Sequence, residues 1–316
     1  MDNQLNVPTT SVAKQNGRIA WPEASSLKQY FSLPYSIMYY MAMNPSTPEV
    51  YNKLIQSCKY FFERNPILVV ERIDEKKICA KKECNAIYGN EPCCVGYDIT
   101  KITCKFWLTD RLLFGRARRK ELNYTSLLRP KVFRCEIKKL EIWDNNVLYD
   151  DFKCLASFAR IVELLRLKLI HCDGKIVMLE KILELIPNIE EFQYHFDDDY
   201  SVITNATVKN ILQLENLGNL KSFCLYRIPQ VFNIVDLSLF IKRHKDTEIF
   251  LHFAGNIIEE HKAQLDALIG TIIDSDVSDC LIHYDGQDGE KLKIMESRFY
   301  YRDDELDDDN NIFDSD

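Results

Sequence analysis

The stretch from Ile137 to Asn145, IKKLEIWDN, has a spacing that recurs through the C-terminal half of this 316-residue chain. Its first, fourth and sixth residues are apolar and its ninth is an asparagine. Four further frames follow the same spacing: Val162, Leu165, Leu167 and Ile170; Ile189, Phe192, Tyr194 and Asp197; Leu220, Phe223, Leu225 and Ile228; and, more weakly, Glu248, Leu251, Phe253 and Asn256. Their second positions, at 140, 165, 192, 223 and 251, are 25, 27, 31 and 28 residues apart. We interpret this half as five degenerate repeats.

The spacing is typical of the strand of a leucine-rich repeat, whose repeat length is about 20 to 29 residues. Amphipathic segments separate the frames. In residues 174–188, GKIVMLEKILELIPN, one helical face carries Ile176, Leu179, Ile182, Leu183 and Ile186. We therefore expect an α/β fold in which residues 134–301 form a curved strand–helix, leucine-rich-repeat-like solenoid. An ordinary α/β domain whose strands happen to end in Asn or Asp is the open alternative.

The residues between the apolar positions of each frame are candidates for binding. Because side chains alternate along a strand, these residues would project from the face opposite the helices. In a solenoid that face is a shared concave surface, shaped to hold a protein. The predicted substrate-binding residues are Glu141, Trp143, Arg166, Lys168, Gln193, His195, Tyr226 and His252.

Residues 33–62, LPYSIMYYMAMNPSTPEVYNKLIQSCKYFF, contain two helix-sized apolar patterns separated by a proline-bearing turn. Thr47 is a good N-cap with Pro48 at the first helical position, so the second helix is predicted to begin there and to continue to Phe61. The apolar residues at helical spacing are Ile37, Met38 and Met41, then Val50, Leu54, Cys58 and Phe61. A unit this small cannot bury all of them, so we expect it to contact something else.

These residues resemble an F-box. The matching features are Leu33-Pro34, an apolar pair one turn later, a proline-bearing loop, and the ending Ser57-Cys58-Lys59-Tyr60-Phe61. From about residue 31 to 301, the chain is also similar to a divergent F-box-like family greatly expanded in nematodes. That similarity includes MLEKILELIPNIEEF at 178–192 and YDGQD at 284–288.

The resemblance implies that residues 27–66 form an F-box-like helical module, in which residues 33–61 bind the Skp-type adaptor of a cullin–RING ubiquitin ligase, while the repeats hold a protein substrate. The implied protein is a substrate receptor without catalytic residues or cofactors. Its adaptor-binding residues would be Leu33, Pro34, Ile37, Met38, Leu54, Cys58 and Phe61. Two alternatives stay open: these side chains pack on the chain's own repeat domain, or the chain is a scaffold or blocker without the adaptor, since Tyr35-Ser36 replaces an acid common in F-boxes.

Residues 67–133 are predicted to be a strand-rich connector that contains several cysteines. Cys79, Cys84, Cys93, Cys94 and Cys104 raise the alternative of structural zinc, which needs soft ligands brought together by tight turns. Adjacent Cys93 and Cys94 would point to opposite faces if they lay on a strand. We therefore expect reduced thiols and no bound metal.

A basic cluster follows, comprising Arg111, Arg116, Arg118, Arg119 and Lys120, with Phe106, Trp107, Phe114 and Tyr124 nearby. Charge interleaved with rings is what a nucleic-acid site requires. Because no recognition motif surrounds the cluster, we expect a solvated loop or a patch for an acidic partner. A zinc-stabilised nucleic-acid-binding segment over residues 79–120 stays as the weaker alternative.

The net charge of −8 belongs to the C-terminal end. From Asp303 to Asp316 there are eight acids and no base, so the rest of the chain carries 40 of each sign. Residues 302–316 are predicted to be a disordered acidic tail and residues 1–26 a disordered lead-in. No run approaches the roughly 20 apolar residues of a membrane span, and no signal-peptide pattern is present.

The cysteine content indicates the cellular compartment, and the short motifs indicate whether the chain is an enzyme. The 11 scattered cysteines suit a reducing compartment, so we expect the cytoplasm and/or the nucleus, with no membrane partner. The sequence His171-Cys172-Asp173 and the pair Cys280 and His283 lack a nucleophile elbow, and no phosphate-binding glycine loop is present. An enzyme is therefore not expected.

Overall fold

The computed structural model describes residues 30, 32–74, 77–81, 93–115, 124–253, 255, 257–275, 277 and 279–300. The predicted lead-in and acidic tail, Cys84, Asn256 and the basic residues 116–120 lie outside this part. Within the described residues, no helix combines the length and the apolar character needed to cross a membrane.

Three short helices come first: α1 (Tyr35–Met43), α2 (Pro48–Ser57) and α3 (Lys59–Arg64). The predicted start of the second helix is confirmed, because the Thr47 hydroxyl accepts the Val50 N–H at 3.2 Å and Pro48 is the first helical residue. Its predicted continuation to Phe61 is wrong. Cys58 has an extended backbone (φ −157°, ψ 126°), and its sulfur accepts the Tyr60 N–H, so a separate helix begins there.

The remaining described residues alternate strands with helices. The strands are β1 (Ile67–Asp74), β2 (Lys77–Cys79), β3 (Cys94–Gly96), β4 (Lys105–Phe114), β5 (Val132–Cys135), β6 (Lys139–Trp143), β7 (Asn146–Leu148), β8 (Ile161–Leu165), β9 (Lys168–Ile170), β10 (Glu191–His195), β11 (Ser222–Ile228), β12 (Glu248–Phe253) and β13 (Cys280–His283). The helices are α4 (Tyr124–Leu128), α5 (Tyr149–Ala156), α6 (Leu179–Glu184), α7 (Thr207–Ile211), α8 (Ile234–Arg243), α9 (Glu259–Ile273) and α10 (Gly289–Tyr300).

One large, mostly parallel sheet organises these elements. Its order is β13-β12-β11-β10-β8-β6-β4-β1-β2-β3, with β5 beside β4. All pairs from β13 to β1 are parallel, whereas β2 and β3 are added antiparallel at one edge. The parallel strands stand in the order in which the chain forms them. The boundary expected at residues 133/134 therefore falls inside one continuous sheet, because β1 and β4 belong to it.

The helices bury one face of this sheet. Alternate residues of β8, β10 and β12 are buried, and they join the main core with apolar residues of α6, α8 and α9 such as Ile182, Phe240 and Leu265. Helices that follow one another in the chain also pack side by side, from α6 to α10. The other side chains of the strands point away from the helices, as the alternation requires. We call this side the open face.

The strand pairing corrects two of the predicted repeat frames. Leu140 is in register with Val162, Phe192, Phe223 and Ile249. The second and fifth frames were expected to place Leu165 and Leu251 there instead, so they are displaced by three and two residues. A shift of three moves a residue to the other face of a strand, so Leu165 lies on the open face.

Candidate functional site

Two rows of side chains cross the open face where parallel strands hold equivalent residues in register. One row comprises Glu141, Glu163, Gln193, Cys224, Phe250 and Leu281. The next, nearer the carboxyl ends of the strands, comprises Trp143, Leu165, His195, Tyr226, His252 and His283. We call the second the ring row, since five of its six members carry aromatic rings.

The rings of this row contact one another. The His195 and Tyr226 rings stack with centroids 5.8 Å apart and an interplanar angle of 14°, and those of His252 and His283 stack at 5.1 Å with the same angle. Tyr226 also meets Phe250 of the neighbouring row at 5.0 Å. All are partly exposed. Large rings with one polar edge, held in place by their neighbours, are the side chains that protein interfaces use as anchors.

Charged side chains edge the ring row at the strand ends. Arg166 pairs with Asp144, Lys168 pairs with Asp199, and the Arg227 guanidinium lies 2.6 Å from the Asp198 carboxylate. We call these six residues the charged rim. An apolar centre with a polar rim is the usual anatomy of a protein interface.

Three of these positions have an unusual backbone. Asp144, Arg166 and Arg227 each directly follow a ring-row residue, and their φ values are 49°, 50° and 59°. Left-handed backbone costs about 1–2 kcal/mol for a residue with a Cβ. The turn is held by a hydrogen-bond ladder, in which the Asp144 N–H donates to Leu165 O and the Arg166 N–H to His195 O, both at 2.8 Å. Strained backbone held in this way is frequent at functional sites.

Burial keeps three side chains of the ring row uncharged. It lowers the pKa of His195 and of His252, and the neighbouring His283 lowers that of His252 further. Burial also raises the pKa of Tyr226. Near neutral pH these three side chains are therefore uncharged, whereas the neighbouring charged rim carries formal charge.

The predicted substrate-binding residues do not all reach the open face. Trp143, Gln193, His195, Tyr226 and His252 do. Arg166 and Lys168 do not, because the displaced second frame put them on β8, whereas they follow its end and belong to the charged rim. Glu141 is in the correct row but is only 1% exposed, and Arg111 and Lys139 pair with its carboxylate. The sequence analysis missed His283 and Phe250.

The predicted adaptor-binding residues divide in the same way. Met38, Cys58 and Phe61 are buried with Ala42 in a small core among α1, α2 and α3, with Leu54 partly buried against it. Leu33, Pro34 and Ile37 are exposed. Tyr35, Tyr39, Tyr40 and Val50 are exposed as well, although sequence analysis did not select them. We call Leu33, Tyr35, Ile37, Tyr39 and Tyr40 the α1 face.

A different side of the three helices attaches them to the sheet. Tyr51 of α2 is fully buried against Ile67 and Trp107. Its hydroxyl donates to Asn65 O at 2.7 Å and accepts the Ile67 N–H at 3.0 Å, while the Asn65 amide donates to Ala42 O. The contact to the chain's own sheet therefore uses Tyr51 and leaves the α1 face exposed.

Two other sequence-level candidates take structural positions. Arg111 of the basic cluster pairs with buried Glu141. Burial raises the pKa of the Cys280 thiol to about 12, which makes it a poor nucleophile, and the nearby His283 ring stacks on His252. Neither comparison with models of known protein families nor comparison with curated proteins gives a match.

Proposed function

We propose that the chain is a substrate receptor of a Skp–cullin–F-box type ubiquitin ligase, acting in the cytoplasm and/or the nucleus. In this proposal the α1 face binds the Skp-type adaptor, and through it a cullin, while the open face binds a protein substrate. The ligase supplies the chemistry, and the receptor contributes proximity. It therefore needs no catalytic residue or cofactor.

The observation that carries the proposal is the exposure of the α1 face. Leu33 and Ile37 are 46% exposed, Tyr35 60% and Tyr40 67%, although the helices are already attached to the sheet through Tyr51. Large aliphatic and tyrosine side chains clustered on one short helix form the kind of patch that a partner helix covers. The resemblance of residues 33–61 to an F-box supports the Skp-type adaptor as that partner.

We further propose that the sheet and its helices form a curved, leucine-rich-repeat-like solenoid. Parallel strands in chain order with the helices on one face support it. Strands stand about 4.8 Å apart, whereas packed helices need about 8–10 Å, so the helical side must be the longer one. The sheet then bends with the open face on the inside. A concave face with the ring row at its centre suits an exposed segment of a folded protein or a peptide.

Co-expression with a Skp-type adaptor tests the proposal. The chain is expected to elute with the adaptor as a one-to-one complex, and the double variant Leu33→Ala/Ile37→Ala is expected to elute alone. Val235→Ala is a matched control, because Val235 is a 70% exposed apolar residue on the distant helix α8. A well-folded wild-type chain that never binds the adaptor would refute the ligase proposal.

The second candidate is a protein-binding scaffold or blocker that does not engage the adaptor. The burial of Met38, Cys58 and Phe61 favours it, because less of the F-box-like apolar surface is then available. The ring row and the charged rim would keep their role. This candidate is supported if the chain does not bind the adaptor and if substitutions on the open face abolish capture of a cellular protein.

A further inference from the structure

The antiparallel edge of the large sheet gathers three cysteines. β2 and β3 pair so that Cys79 stands directly opposite Cys94, and Cys93 lies in the turn just before β3. The three sulfur atoms all lie within 4.8 Å of one another. Sequence analysis expected Cys93 and Cys94 to diverge. They converge because Cys93 precedes the strand and is not bound by its alternation.

We propose that Cys79, Cys93 and Cys94 bind a Zn²⁺ ion. Zinc holds thiolates tetrahedrally at about 2.3 Å, which places the sulfur atoms about 3.8 Å apart. The three sulfur atoms lie within 4.8 Å of one another, an upper limit about 1 Å above that separation, and Cys93 lies in a turn. Three soft sulfur donors select zinc or a similar thiophilic ion over Mg²⁺ or Ca²⁺, which require oxygen ligands.

Polar and charged groups surround the cysteines. The Lys81 N–H points at the Cys79 sulfur with an N···S distance of 3.4 Å. Backbone donors of this kind stabilise the negative charge of a metal-bound sulfur. Arg72, Asp74 and Lys77 line the same small cavity as Cys79 and Cys94. Among the described residues, this is the one group of three or more metal-ligating side chains whose ligand atoms meet.

The site would be structural. It joins the end of β2 to the start of β3, the outermost strand of the sheet, where unpaired backbone groups make an edge weak. It also closes the chain segment between Cys79 and Cys93, and closing a loop restricts the unfolded chain. Because a metal that binds the folded chain stabilises it, removal of zinc is expected to loosen this edge first. In a structural site of this kind, a fourth protein side chain would complete the tetrahedron.

Titration of the full-length, reduced and chelator-treated chain with Co²⁺ tests the proposal, since Co²⁺ bound by thiolates gives a charge-transfer absorption that Zn²⁺ abolishes. We expect one Co²⁺ per chain, displaced by one equivalent of Zn²⁺. Cys93→Ser is expected to weaken binding by roughly tenfold or more, because it removes a ligand directly. Cys172→Ser, in an exposed turn outside the cluster, is the matched control and should bind as wild type does.

Cys79→Ser/Cys94→Ser is a second variant, and circular dichroism should establish that both variants fold. Absence of the charge-transfer band in the reduced wild-type chain would overturn the proposal. So would an equal band in a folded Cys93→Ser variant, or a Cys79–Cys94 disulfide in a chain purified without air. None of these outcomes bears on adaptor binding.

Discussion

The guanidinium of Arg166 forms a two-pronged ion pair with the carboxylate of Asp144, and both residues have left-handed backbone, with φ of 50° and 49°. Each directly follows the ring-row residue of its strand. The pair therefore fixes two neighbouring strand ends at the border between the rings and the charged rim.

This pair leads to a prediction about glycine. Both Arg166→Ala and Arg166→Gly remove the ion pair. Alanine keeps the unfavourable left-handed backbone, whereas glycine adopts this conformation without strain. We expect the glycine variant to be more stable than the alanine variant by about 0.5–1 kcal/mol, the gain being partly offset by greater freedom of the unfolded chain. Urea unfolding measures the difference. Lys168, which lies on strand β9 and pairs with Asp199, is the control. There the alanine variant should be more stable than the glycine variant.

The α1 face and the core beneath it should respond differently to truncation. Leu33→Ala/Ile37→Ala is expected to weaken adaptor binding by about 1–3 kcal/mol with little loss of folding stability. Met38→Ala is expected to lower the free energy of unfolding by about 2–4 kcal/mol, because Met38 is buried. Calorimetric titration and urea unfolding separate the two effects. Equal stability losses in both variants would contradict the exposure of the α1 face.

Tyr51 should be the residue that attaches the N-terminal helices. Tyr51→Phe keeps the ring but leaves Asn65 O and the Ile67 N–H without their shared buried partner. We expect a loss of about 1–3 kcal/mol and faster proteolysis of α1 to α3. Tyr40→Phe, at an exposed position, is the control and should match wild type in both measurements.

Stability should fall as pH decreases from 7.5 to 5.5. In the unfolded chain His195 and His252 gain protons near their ordinary pKa of about 6.5, whereas in the folded chain burial lowers the pKa, so protonation favours unfolding. The loss begins near pH 6.5 and is complete below the folded-state pKa values. His252→Gln should flatten the curve, measured by urea unfolding at each pH. Tyr226→Phe, which retains a ring that does not titrate in this range, should leave the slope unchanged.

Gly115 should resist substitution. Its φ is 100°, and a Cβ there would lie 1.7 Å from the Trp143 carbonyl oxygen. We expect Gly115→Ala to destabilise the chain by about 3 kcal/mol or more, since strain and overlap add. Gly218→Ala meets no atom within 4 Å and is the control in the same thermal unfolding assay. A Gly115→Ala variant as stable as that control would show that β4 and β6 do not approach closely there.

The sequence predicted a fold of repeated strands and helices, and three of its five frames have the register that the structure shows. The second frame failed because residues 161–170, IVELLRLKLI, are apolar at seven of ten positions, so more than one frame fits the spacing. The pairing of β8 with its two neighbours determines the register, because Val162 stands beside Leu140 and Phe192. The left-handed backbone of Arg166 could not be predicted from the sequence, because it depends on the hydrogen bond from the Arg166 N–H to His195 O on the next strand.

The burial and exposure of the predicted binding residues could be foreseen only in part, for related reasons. Helical spacing grouped Ile37, Met38, Leu54 and Phe61, but spacing does not say which side of a three-helix unit is its own interior. Tyr51 was overlooked because its role depends on Ile67 and Trp107, far along the chain. Cys93 and Cys94 could be placed together only if the first residue of β3 was known. Because β3 begins at Cys94, Cys93 lies in the preceding turn.

The alternation along each parallel strand divides its positions into two sets that differ in how well they tolerate substitution. Residues such as Leu140 and Ile142 hold the helices and tolerate little change, whereas Trp143 and its neighbours across the ring row contribute little to that core. In the proposed function, a single substitution on the open face would alter the choice of substrate without disturbing the core. Binding specificity and folding stability would then be determined by different residues of the same strands.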